Sequence, residues 1–184
     1  ADESFDIVRQ VVPAIAVDYL DLRTINWDGG VKVIDSVGMR CGEAVDTEAC
    51  SAGYDALSID SEFDIAVWSD ICCEQRQLAY SRGDEVGVVA STAELDAFLG
   101  PIDAPGDAAL VLLLKHRWEH LRCDAAAQIG PHEEGFVAYT RSGSGCGAGN
   151  HVRDNVVLVR TDGSIEVLES DIIERGTVGC SIPG

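Results

Sequence analysis

Val156-Val157-Leu158-Val159-Arg160-Thr161-Asp162-Gly163-Ser164-Ile165-Glu166-Val167-Leu168 is the stretch on which the fold is read. Two runs rich in β-branched residues flank Asp162-Gly163, and Asp-Gly accepts the positive φ that a tight hairpin turn demands. The stretch therefore predicts two antiparallel strands joined by a short turn. Just upstream, residues 135–141 read as a further strand, so the last third of the chain is expected to be β. Upstream, Trp27-Asp28-Gly29-Gly30 marks a turn leading into a strand over 31–37, and residues 86–90 form another short apolar strand.

Two helices interrupt these strands. Ser91-Thr92-Ala93-Glu94 is a capping box, with the serine accepting from a first-turn amide and the glutamate reaching back. The helix it opens carries Leu95, Phe98 and Leu99 and stops at Gly100-Pro101. Pro105-Gly106-Asp107 opens a second helix through Lys115, its acid early and its bases late, as the helix dipole favours. Near the start, Pro13 limits any helix to about Val12, with extended chain after it. The expected fold is α+β: an antiparallel-rich sheet with two or three short helices, forming one disulfide-stapled domain over residues 1–184.

Composition narrows the class of function. The chain has 184 residues, 46% of them hydrophobic, which is enough for one complete core. No apolar run approaches the roughly 18 residues needed to cross a bilayer as a helix. Asp and Glu number 32 against 13 Lys and Arg, a formal net charge of −19. No Lys or Arg lies between Cys41 and Gln75, where nine carboxylates do. Such a surface repels nucleic-acid phosphates and anionic headgroups, so neither nucleic acid nor membrane is an expected partner. Cations, basic proteins and amine-bearing glycans remain open.

Seven cysteines, Cys41, Cys50, Cys72, Cys73, Cys123, Cys146 and Cys180, lack C-x-x-C spacing and read as disulfides. That places the protein outside the cytoplasm, extracellular, periplasmic or at the cell surface, as a mature chain whose signal has been removed. Cys41 and Cys50 bracket a glycine- and acid-rich loop and form the natural local pair. A Cys146–Cys180 bridge would tie down the C-terminal tail. Residues 64–73 read as a strand, in which Cys73 shares the apolar face with Ile65, Val67 and Ile71. Cys73–Cys123 is then the third bridge and Cys72 the odd thiol, free or joined to another chain; a bulge between the two cysteines would exchange them.

The run Thr92-Ala93-Glu94-Leu95-Asp96-Ala97-Phe98-Leu99-Gly100-Pro101-Ile102-Asp103-Ala104-Pro105, with its Ala/Leu-rich helix and the Arg160-Thr161-Asp162-Gly163 turn, resembles uncharacterised secreted bacterial proteins. The resemblance covers about half the chain; it implies export and no particular chemistry.

Arg82-Gly83-Asp84 matches an adhesive tripeptide, but Gly-Asp between strands is ordinary turn chemistry. Gly143-Ser144-Gly145-Cys146-Gly147-Ala148 fits a dinucleotide-binding pattern but is followed by β-rich sequence, without the helix that would hold a pyrophosphate. His116 and His120, with Glu119 and Cys123, have metal-compatible spacing on a helix but no H-E-x-x-H signature. Asp60-Ser61-Glu62-Phe63-Asp64 offers oxygens to calcium without an EF-hand's glycine and terminal glutamate. His132 and His151 flank the strand over 135–141 and are expected to face each other across a loop pair. The sequence assigns no catalytic, cofactor or metal residue, and no cofactor. The leading expectation is a non-enzymatic binding or structural protein of the cell surface or an extracellular assembly, a homo-oligomer through self-contacts or Cys72 among its forms. A secreted hydrolase built around His132 and His151, and a calcium-binding protein, are the rivals.

Overall fold

The computed structural model describes residues 7–26, 28–65, 74–115, 120–121, 129–143, 145 and 147–176. Within them, a 3-10 turn Val8–Gln10 leads to β1 (Tyr19–Ile25) and β2 (Val31–Gly38), then α1 (Thr47–Asp55) and β3 (Phe63–Ile65). β4 (Glu74–Arg82) and β5 (Glu85–Val89) precede α2 (Thr92–Leu99) and α3 (Pro105–Lys115). β6 (His120–Leu121), β7 (Gly130–His132), β8 (Gly135–Gly143), β9 (His151–Arg160) and β10 (Ile165–Arg175) complete the order. The fold is mixed α+β, with three helices and two antiparallel sheets among the described residues. One sheet runs β2-β1-β4-β3 with β5 also on β4; the other runs β10-β9-β8-β6 with β7 also on β8.

The hairpin expected over 156–168 forms and extends well beyond that stretch. Gly163, at φ +77°, donates its N–H to the Arg160 carbonyl at 2.9 Å, and Arg160 donates to the Ser164 carbonyl at 2.8 Å. The Asp162 carboxylate accepts from the Ser164 amide and hydroxyl, which holds its pKa below the usual carboxylate value. The capping box of α2 is present on both sides, and Gly100 at φ +68° ends the helix.

α3 is buried from Gly106 to Leu112 and again at Leu114. A helix apolar on all sides belongs inside a core. Leu20, Leu22 and Leu78 of one sheet, Leu95 and Leu99 of α2, and Phe136, Ala138, Val157 and Val159 of the other sheet share one core cluster with α3. The sole acid in α3, Asp107, is fully buried at its N-terminus and accepts backbone hydrogen bonds from Val12 (2.8 Å), Asp103 and Ala104. Burial raises its carboxyl pKa although these amides favour the charged form.

Several elements depart from the sequence reading. In place of a helix up to about Val12, the described residues from Ile7 form the 3-10 turn alone, with Val11 already extended; extended chain follows, as expected, and leads into β1. The acidic loop between Cys41 and Cys50 is shorter than expected, because Asp46 caps α1 by accepting from the Ala49 amide at 2.9 Å. β4 was not expected at all, since both its faces are covered and Gln77, Leu78, Ala79 and Ser81 are all buried. Of the strand read over 64–73, only its start coincides with β3; residues 66–73 lie outside the described residues.

Candidate functional site

β1 carries Tyr19-Leu20-Asp21-Leu22-Arg23, so alternate side chains face opposite ways. Leu20 and Leu22 enter the core, while Tyr19, Asp21 and Arg23 share the opposite face. Although that face is polar, Asp21 and Arg23 are only 1% and 6% exposed. α1 covers it. The helix buries only two side chains, Cys50 and Tyr54. Cys50 is bonded to Cys41, with Cα atoms 5.9 Å apart, which is the pairing expected from sequence. Tyr54 donates its hydroxyl to Asp21 Oδ2 at 2.7 Å.

Around this contact the charges are layered. Tyr19 donates to the same Asp21 oxygen at 3.4 Å, and its ring meets Tyr54 edge-on with centroids 5.8 Å apart. The guanidinium of Arg23 lies 5.7 Å from the Tyr54 ring centre and that of Arg40 5.1 Å, both within cation–π range. Arg23 Nε stands 3.8 Å from Asp21 Oδ1, too far for a hydrogen bond. Gln77, opposite Arg23 on β4, donates to the Ser58 and Asp60 carbonyls. Asp21 Oδ1, Arg23 Nε and Nη2, and Gln77 Oε1 have no hydrogen-bond partner among the described residues.

Burial raises the Asp21 carboxyl pKa, against the Tyr54 hydrogen bond and the Arg23 charge, which both lower it. Burial and the bond to Asp21 together drive the Tyr54 phenol far above its ordinary value. The phenol therefore stays protonated and the carboxylate is sealed from solvent. This arrangement anchors a helix; it offers no proton-transfer group to a ligand arriving from water.

A cavity of about 320 Å³ opens elsewhere, over Tyr80 and Phe98, whose rings lie 5.5 Å apart. Its charged lining groups are already engaged: Arg82 with Glu85, and Glu94 in the α2 capping box.

The third feature is β10. Among the described residues this eleven-residue strand pairs with β9 alone, leaving its other edge free. Apart from the half-buried Ile165 and Ile172, every residue is exposed, including Val167 (53%), Leu168 (43%) and Ile173 (48%). The register slips twice, so Leu168 and Ile173 are bulged out of the ladder. The consequence is a change of phase. Glu166, Glu169, Asp171 and Glu174 stand opposite Leu158, Val156, Asp154 and Val152, which alternate along β9 and share one face. Ile165, Val167, Ser170 and Ile172 stand opposite Val159, Val157, Asn155 and Arg153 on the other, the face whose Val157 and Val159 are core.

The residues singled out from sequence are mostly not brought together. His132 pairs with Gly135 at the start of β8, whereas His151 begins β9 beside the end of β8. Eight residue steps of about 3.4 Å put them about 27 Å apart, so the expected face-to-face pair does not exist. His132 instead accepts from the Glu134 amide within its own turn. Asp60 and Glu62 are exposed, and no group of three His, Cys, Asp or Glu able to hold a metal occurs among the described residues. Arg82-Gly83-Asp84 forms the β4–β5 turn: Arg82 pairs with Glu85, the Gly83 amide donates to Asp18, and Asp84 accepts from the Asp46 amide. Gly143 pairs with Val152, and strand β9 rather than a helix follows the glycine-rich loop. His120 lies in β6 opposite Arg141. Cys72, Cys73, Cys123, Cys146 and Cys180, with His116 and Glu119, lie outside the described residues.

Sequence reasoning missed Asp21, Arg23 and Tyr54 as a group, and the row of carboxylates on β10. Asp46, a favourable N-cap residue, was the available signal for α1; nothing local marks the two bulges. No known family model, curated protein or solved structure matches this chain.

Proposed function

We propose that this chain is an exported, non-enzymatic binding protein that takes up an extended segment of a partner along the free edge of β10. The observation that carries the reading is the strand itself: eleven residues, paired among the described residues on one side alone, exposed on both faces, with Val167, Leu168 and Ile173 in water. A free edge offers a row of backbone donors and acceptors, which an added strand satisfies. Export is supported by the Cys41–Cys50 bridge, since such bonds persist in oxidising compartments. The non-enzymatic part is supported by the separation of His132 from His151 and by the closure of α1 over Asp21.

Selection of displayed random peptides of about ten residues on the folded protein tests this, ten residues being enough to span the strand. Recovered peptides are expected to lose binding to a Val167→Lys/Ile173→Lys variant, whose side chains are already exposed and whose fold is checked by its melting curve. Recovery of no peptide, or of peptides indifferent to the double variant, overturns the reading.

A further inference from the structure

From the phase of the two bulges on β10 we infer that the edge is built for a basic strand of alternating pattern, Lys or Arg at every second position and apolar residues between. The inference rests on edge docking as proposed above and adds the chemistry of the partner. Were β10 regular, Glu166 and Glu174 would share a face with Leu168, Ser170 and Ile172, while Glu169 and Asp171 pointed the other way. The bulges at Leu168 and Ile173 gather all four carboxylates on one face. An added strand meets its neighbour residue against residue on the same face. Its side chains on that face would therefore lie beside four acids, and those on the other beside Ile165, Val167, Ser170 and Ile172, with Arg175 at the strand's end.

Among the described residues the charge on that row is largely uncompensated. Arg160 takes up Glu166 together with Glu134, and Arg141 is spent on Asp154. Glu169 and Asp171 make no ion pair among the described residues. Charges and bulges of this kind keep a free edge from meeting copies of itself. A second copy laid antiparallel about Ser170 would set Glu166 against Glu174 and Glu169 against Asp171, four repulsive contacts by symmetry. Residues 177–184 contain no Lys or Arg and bring no countercharge either. Opposite charge is what the row accepts, and alternation is what distinguishes docking from attraction to a chain of net charge −19.

The test uses the full chain and four labelled peptides of about ten residues, long enough to span the strand. They are alternating Lys–Val, the same composition with lysines and valines in blocks, alternating Thr–Val, and alternating Glu–Val. Fluorescence anisotropy at about 150 mM salt gives affinities, with the Debye length near 8 Å, and amide shifts map the contact. The alternating Lys–Val peptide is expected to bind about tenfold more tightly than the block and Thr–Val peptides and to shift β10 amides. A Glu169→Lys/Asp171→Lys variant is expected to prefer Glu–Val instead. Equal affinity of the alternating and block peptides overturns the inference, since net charge alone then explains binding. Equal affinity of Thr–Val and Lys–Val, both lost in Val167→Lys/Ile173→Lys, overturns the charge selection while edge docking stands. No β10 shift with any peptide overturns both. A free-protein dimer that the same double variant dissolves makes a second copy the occupant and overturns the basic partner.

Discussion

Replacing Tyr54 by Phe removes one oxygen from the only side chain, apart from Cys50, that α1 buries. The ring can still meet Tyr19, Arg23 and Arg40, so the change isolates the hydroxyl that donates to Asp21 at 2.7 Å. Without it, the buried carboxylate keeps, among the described residues, the Tyr19 hydroxyl at 3.4 Å and Arg23 at 3.8 Å. A hydrogen bond to a charged buried group contributes about 1.5–3 kcal/mol. The expected loss is therefore about 2 kcal/mol above the raised Asp21 pKa, where the group is charged, or about 4–8 °C in Tm for a chain of this length. The pH dependence follows from Asp21. Its folded pKa is raised, so between the ordinary carboxylate range and that raised value the native chain holds a proton the unfolded chain has released. Stability attributable to Asp21 is highest below that window and falls as pH rises through it. Tyr54→Phe takes away a donor that favours the charged form and raises this pKa further. Its cost should then be small below the window and complete above it. Urea unfolding of wild type, Tyr54→Phe, Asp21→Asn and the double variant, from about pH 3 to about pH 8, measures both effects. In the Asp21→Asn background the Tyr54 substitution should cost about 1 kcal/mol, as for a neutral pair. A Tyr54→Phe loss that stays below about 0.5 kcal/mol up to about pH 8, the scale of an ordinary surface change, or one that does not vary with pH, rules out this role for the Tyr54 hydroxyl.

Other expectations are simpler. Cys41→Ser/Cys50→Ser opens a loop with a sequence separation of 9 and should cost about 2.6 kcal/mol in the chain-entropy view. Hydrogen exchange should show α1 amides losing protection before those of α3, and uniform loss would contradict α1's dependence on the bridge. Gly106→Ala places a Cβ on the backbone of Gln10 and Val11, so a loss of about 1–3 kcal/mol is expected in thermal melts. Asp107→Ala strands the Val12, Asp103 and Ala104 amides and should cost about 3 kcal/mol, read in the same assay. Ser91→Ala removes the α2 cap for about 1 kcal/mol, and an unchanged midpoint in urea would show that the cap contributes little.

The elements legible from sequence are those whose signals are local. Asp162-Gly163 needs only its own φ to make a turn, Ser91 and Glu94 meet across one helical turn, and the apolar run of α3 is continuous. Cys41 and Cys50 are close enough along the chain to be paired on spacing alone. β4 was illegible because burial on both faces erases the alternation that identifies a strand. Asp21 and Arg23 are charged, so nothing local marks them as buried; α1, docked through Cys50 and Tyr54, turns their side of β1 into an interior. The histidine pair failed for a related reason: flanking one strand says nothing about which of its ends each residue occupies.

Turns, caps, helix stops and one cross-link are thus written in the chain itself, because each depends on residues within about ten positions of one another. Which face of β1 is dry, and which face of β10 gathers its acids, was decided by long-range packing and strand register. A bulge shifts every later side chain by one position, and no local pattern records where the neighbouring strand will impose it.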